Sequence, residues 1–138
     1  MKIYAVIDTN VIVSAVLSKK DDAATVIVLK AVFTGKIIPV YNDDIIAEYK
    51  EVLKRKKFKL DPDTVDGLVN SIKEAGETTE RIITNETLPD PDDLVFYEVA
   101  VSKENSFLIT GNIKHFPDKH FIVTPAEMTV ILNKLNML

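Results

Sequence analysis

The chain has 138 residues, 46% apolar and 28% charged, with four Gly, six Pro and neither Cys nor Trp. One domain spanning 1–138 is expected at that size, and a net charge of −4 is too mild for a disordered acidic chain. Without Cys there are no disulfide staples, thiolate nucleophiles, Cys-based zinc sites or iron–sulfur clusters, and two histidines, His115 and His120, argue against a multi-His metal cage. What remains for chemistry is mostly carboxylate.

The run Ile3 to Ile7 is apolar at every position, the pattern of a strand buried on both faces of a parallel sheet. Lys2 precedes only these five apolar residues before Asp8 interrupts, too few for a signal-peptide core or a membrane span. A soluble, cytoplasmic protein with no membrane segment is expected. Helical spacing follows over Asn10 to Leu17 and Ala23 to Phe33, then a strand over Lys36 to Tyr41. Helices are expected over Asp43 to Lys57 and Asp63 to Ala75, a third strand over Glu80 to Thr84, and a helix over Asp92 to Lys103. Strands at Ser106 to Thr110 and His120 to Thr124 precede a last helix from Pro125. There Thr124, Pro125 and Glu127 fit an N-cap, a first-turn proline and a capping-box glutamate. Strands alternating with helices predict an α/β fold around a parallel sheet.

In open parallel sheets ligands bind beyond the carboxyl ends of the strands. Asp8, Thr9 and Asn10 follow the first strand, Gly111 and Asn112 the fourth, and Asp90-Pro91-Asp92-Asp93 opens the helix after the third. Each has a plain structural reading, since Asp and Pro crowd helix starts for capping reasons. Glu48 is weighed on a helical wheel. With Ile45 at zero, the apolar stripe runs from about −20° to about 100°, and Glu48 falls near about −60°, on its border. Asp44 and Glu51 fall further into solvent. Asp93 shares a face with Phe96, Tyr97 and Ala100 on a helix apolar nearly all round except for Glu98. A carboxylate there needs backbone NH groups, a cation or a metal. Asp92, one position round, competes with it.

Carboxylates without His or Cys form a hard-oxygen site suited to Mg²⁺ or Mn²⁺ rather than zinc or copper. Such an ion activates water and neutralises phosphate charge, so phosphodiester hydrolysis or phosphoryl transfer is the reaction class this inventory best supports.

The stretch Val6-Ile7-Asp8-Thr9-Asn10-Val11-Ile12-Val13-Ser14-Ala15 resembles the opening motif of the PIN-domain family of metal-dependent ribonucleases. Three further pieces stand in the family's order: Ile45-Ile46-Ala47-Glu48-Tyr49 with Val52-Leu53, Asp90-Pro91-Asp92-Asp93 with Phe96 and Ala100, and Leu108-Ile109-Thr110-Gly111-Asn112. The resemblance covers nearly the whole chain. It implies a three-layer α/β/α domain with a five-stranded parallel sheet ordered 3-2-1-4-5, and endoribonuclease activity with Mg²⁺ or Mn²⁺. It also implies catalytic and metal-binding roles for Asp8, Glu48 and Asp93, with Asp92 as the alternate third acid and Thr9, Asn10 and Thr110 in support. Small members are typically toxins of toxin–antitoxin pairs, form homodimers and are held inactive by a partner antitoxin.

Where many members carry a fourth aspartate, this chain has Asn112, an amide that donates an oxygen but no charge. That departure keeps a second reading open, a catalytically weak module that binds nucleic acid or a partner. An aspartyl-nucleophile phosphatase ranks below both, because a dehalogenase-type site wants Asp two residues after the first and position 10 is Asn. Lys54, Arg55, Lys56 and Lys57, with Phe58 and Lys59, are candidates to guide RNA, with a solvated helix end the favoured plain reading. His115 is expected to pack in its loop, with a role as acid or phosphate contact the less favoured alternative.

Overall fold

The computed structural model describes residues 2–138. Five strands, β1 (Ile3–Ile7), β2 (Ile37–Tyr41), β3 (Glu77–Thr78), β4 (Ser106–Ile109) and β5 (Ile122–Val123), form one parallel sheet in the order β3-β2-β1-β4-β5. The helices are α1 (Thr9–Leu17), α2 (Ala24–Phe33), α3 (Asp43–Leu53), α4 (Pro62–Ala75), α5 (Leu94–Ser102) and α6 (Pro125–Lys134). They flank the sheet to give a PIN-like three-layer α/β/α fold, with α2 against α1 and α6, and α3 against α4 and α5. None of these helices is long and apolar enough to cross a membrane.

The continuous apolar run of β1 is explained by its place. It sits mid-sheet, paired with β2 (Ile3 with Ile37, Ala5 with Pro39) and with β4 (Val6 with Leu108, Ile7 with Ile109). Helices cover both faces, so neither set of alternating side chains meets water. Ala5, Val6, Ile7, Ile37, Leu108 and Ile109 are all buried. At the other end of the chain the capping box forms as the sequence predicts. Thr124 Oγ1 accepts from the Glu127 N–H at 3.1 Å, and the Thr124 N–H donates to Glu127 Oε1 at 3.0 Å.

The third strand is displaced from its predicted place. It is Glu77–Thr78, paired with Val40 and Tyr41, and residues 80–84 are not a strand. The run Arg81-Ile82-Ile83 imitates a buried strand, yet Ile83 is 78% exposed and Ile82 49%. Polar side chains hold the segment instead: Arg81 and Thr84 both bond to Glu98 of α5. Three other boundaries shift. α3 stops at Leu53, and Lys56–Phe58 is a separate 3₁₀ turn, so the basic run lies past the helix. Pro91–Asp93 is a 3₁₀ turn leading into α5, and His120 precedes β5 rather than beginning it.

Gly76 fixes where β3 begins. A Cβ there would stand 2.1 Å from the Pro39 carbonyl oxygen and 2.6 Å from Pro39 Cγ. Both belong to a rigid strand residue that cannot swing aside. Gly76→Ala is therefore expected to lower stability by about 2 kcal/mol, read as a lower urea midpoint at unchanged slope.

Candidate active site

Asp8 follows β1 and occupies the N-cap position of α1, but its side chain makes no capping bond. Its Oδ2 accepts from Thr110 Oγ1 at 2.7 Å and from Asn10 Nδ2 at 3.0 Å. The capping reading thus fails for this residue: the carboxylate turns across the sheet to β4's end instead. It is 4% exposed, and burial pushes its carboxyl up to about 6, aided by the charge of Asp93 and opposed by the Thr110 hydroxyl. Thr110 is in turn oriented by the Asn112 N–H at 3.0 Å, and Asn10 Oδ1 accepts from the Gly111 N–H at 3.2 Å. Two strand ends are tied together around one buried carboxylate.

Glu48 is half-buried, as its border position on the wheel predicts, and it accepts a hydrogen bond from the Thr9 hydroxyl. Burial raises its carboxyl above the ordinary range, the Thr9 bond lowers it, and the charges of Asp8, Asp92 and Glu51 raise it further. Tyr49, the next residue, is fully buried and donates its hydroxyl to the Ile7 carbonyl, anchoring α3 against the end of β1. Tyr49→Phe leaves that carbonyl unpaired. It is expected to cost about 1–2 kcal/mol in thermal unfolding and to lower activity through misplacement of Glu48.

Asp93 closes the Pro91–Asp93 turn, which Asp90 caps by accepting from the Asp92 N–H at 3.0 Å. Asp90 is thus structural. Asp93 Oδ2 lies 3.3 Å from His115 Nδ1. Burial and the Asp90 charge raise the Asp93 carboxyl, against a lowering by His115. Asp92 is exposed and lines a cleft with Asp44, Glu48, Arg81, Pro91 and Val95. The structure therefore gathers Asp8, Glu48, Asp92 and Asp93 at the carboxyl edge of the sheet, with Thr9, Asn10, Thr110 and Asn112 around them. Asp93 couples to Asp8, and Asp92 to Glu48.

The basic run is not brought to these carboxylates. Lys54 lies six residues beyond Glu48, about 9 Å further along the chain at helical rise. Lys54 bonds to Asp66 at 2.7 Å and Arg55 to Glu51 at 3.1 Å, while Lys57 sits over the Phe58 ring. His115 does not pack in its loop. Its side chain is 46% exposed and faces Asp93. The sequence reading missed Tyr49, Arg81 and Glu98 as parts of the site's frame. The one charge on an otherwise apolar helix, Glu98, was the signal available.

Among the described residues no three His, Asp or Glu side chains stand close enough to form a ready-made metal cage. The donor set nevertheless fits a hard divalent cation. Burial and neighbouring carboxylates push Asp8 and Glu48 up, Asp93 acting on Asp8 and Asp8 on Glu48, and among the described residues neither forms a salt bridge to Lys or Arg. Mg²⁺ uses only one or two protein carboxylates beside waters and substrate oxygens, so a cage is not required.

A family model described as PIN domain matches residues 4–114, a span that takes in Asp8, Glu48, Asp92, Asp93, Thr110 and Asn112. No curated protein and no solved structure matches the chain. With that match over most of its length, and with the sheet order 3-2-1-4-5, the chain belongs to the PIN-domain family of nucleases.

Proposed function

We propose that this chain is an endoribonuclease dependent on Mg²⁺ or Mn²⁺, with Asp8, Glu48 and Asp93 holding the ion and Asp92 as alternate to Asp93. The observation that carries it is the buried Asp8 carboxylate, raised to about 6 and without a cationic partner among the described residues, at a sheet edge shared with Glu48 and Asp93. The chemistry such an ion supplies is activation of water and neutralisation of phosphate charge during in-line attack. The chain's own groups orient the donors. Thr110 and Asn10 fix one oxygen of Asp8, the Thr9 hydroxyl holds Glu48, and His115 holds Asp93. The Thr110, Asn10 and Thr9 side chains carry no charge, so Asp8 and Glu48 keep the negative charge that attracts the cation.

The finer reading is the toxin of a toxin–antitoxin pair, active on RNA in the cytoplasm, dimeric, and restrained by a cognate antitoxin. It rests on the resemblance to small PIN-domain toxins. An antitoxin-like reading frame beside the gene, and growth arrest on expression that the neighbour relieves, test it.

Asn112 favours the second reading, a catalytically weak binding module. It is exposed, and its side chain holds none of the carboxylates. Incubation of a mixed-sequence RNA with Mn²⁺, Mg²⁺ or EDTA separates the two. Metal-dependent cleavage supports the nuclease; RNA binding unchanged by EDTA, with no cleavage under either metal, supports the module.

A further inference from the structure

We infer that Arg81 grips a backbone phosphate of the bound RNA strand, with Glu98 as the positioning residue that holds its guanidinium in place; this rests on the nuclease reading above. Three observations carry it. First, Arg81 is the single cationic side chain among the six residues lining the cleft that contains Glu48 and Asp92. Second, its Nε–H donates to Glu98 Oε1 at 2.7 Å, and among the described residues Nη1 and Nη2 have no protein partner. The unused side of the guanidinium is a planar fork of N–H donors, the geometry that matches two phosphate oxygens.

Third, Glu98 has no packing reason to be charged. It is 1% exposed, on a helix whose Phe96, Tyr97, Val99 and Ala100 are buried beside it. A buried ion pair is weak evidence for stability, since apolar residues of similar size often serve as well. Glu98 is instead spent on aim. It accepts the backbone N–H and the hydroxyl of Thr84 as well as Arg81, stitching the irregular stretch 79–88 to α5. Arg81 is thereby fixed at the cleft by its Nε while the rest of the fork stays free. An acidic cleft repels RNA, and a cation on its wall offsets that repulsion at the place where the strand must lie.

The test uses Arg81→Lys, which keeps a cation for Glu98 but loses the fork, and the double variant Arg81→Gln with Glu98→Gln, which removes both charges together. Thermal melts establish that each is folded. Binding of a fluorescein-labelled single-stranded RNA is measured with Ca²⁺ in place of Mg²⁺, from about 50 to about 200 mM KCl, alongside kcat and KM with Mn²⁺. Both variants are expected to bind about ten-fold more weakly, and the double variant to lose about 0.7 from the salt-dependence slope, one phosphate contact on a single strand. KM should rise while kcat holds, because the contact is uniform through the reaction. Folded variants with wild-type binding and slope would overturn the assignment while leaving the nuclease intact. If nothing is cleaved but RNA binding still depends on Arg81, the nuclease reading falls and the phosphate contact stands. If the wild type neither cleaves nor binds RNA, both fall.

Discussion

Asp8→Asn is expected to abolish metal-dependent RNA cleavage, by about 10³-fold or more, and at the same time to raise the stability of the metal-free protein. The two effects have one cause. The Asp8 carboxyl sits at about 6 against an ordinary 3.8, because burial and Asp93 oppose its ionisation. A group whose folded value is raised contributes stability that is fully present below the unfolded value and lost as pH rises through the folded one. In EDTA at about pH 8 the ionised Asp8 is therefore a liability of about 3 kcal/mol, which the neutral, isosteric amide removes. Below about pH 4 the two proteins should melt alike, since Asp8 is then protonated when folded and unfolded. Added Mn²⁺ should reverse the order at high pH by stabilising only the wild type. Denaturation of both proteins in EDTA and in Mn²⁺, at both ends of this range, reads all eight values. An Asn variant less stable than wild type in EDTA at about pH 8 would show that Asp8 is compensated and contradict the account.

The second large effect is on the frame. Glu98→Ala is expected to cost about 3 kcal/mol and Arg81→Ala about 2, with the double variant costing at least 1 kcal/mol less than their sum. Glu98→Ala removes the acceptor for Thr84 and Arg81 at once and leaves a space inside α5's packing. Arg81→Ala leaves a buried carboxylate with Thr84 alone. Burial pushes the Glu98 carboxyl up, but the Thr84 backbone N–H, the Arg81 guanidinium and the Thr84 hydroxyl together hold it below its ordinary value. For a lowered carboxylate the sign is opposite to that of Asp8. The pair's contribution is present above the ordinary value and lost as pH falls through the folded one. Urea midpoints for the four proteins at neutral pH, repeated in acid, test both the coupling and its sign. Strict additivity at neutral pH would mean that Arg81 and Glu98 do not hold each other.

Much of this was legible in the sequence because it obeys local rules. The apolar run at Ile3–Ile7 states that both faces are covered, and Thr124 with Glu127 states where α6 begins. Glu48 could be put half in and half out from the period of a helix alone, and it is half-buried. What escaped depends on contacts far apart in the chain. Ile82 and Ile83 look like a strand, and only the bonds from Glu98 explain why that stretch is held irregular and exposed. Asp8 sits where a capping residue belongs, and its choice of Thr110 over the helix N–H groups is a matter of sheet register. His115 meets Asp93 across 22 positions, a contact that no spacing rule reports.

The central claim is that Asp8, Glu48 and Asp93 form a divalent-cation site. Titration of Mn²⁺ into the metal-free protein, followed by the loss of the free-ion electron paramagnetic resonance signal, tests it without relying on activity. One bound Mn²⁺ is expected at about pH 7.5, with affinity weakened about ten-fold or more at about pH 5 as Asp8 takes up a proton, and little binding by Asp8→Asn. Wild-type binding that ignores both the pH change and the substitution, or no binding at all, would contradict it.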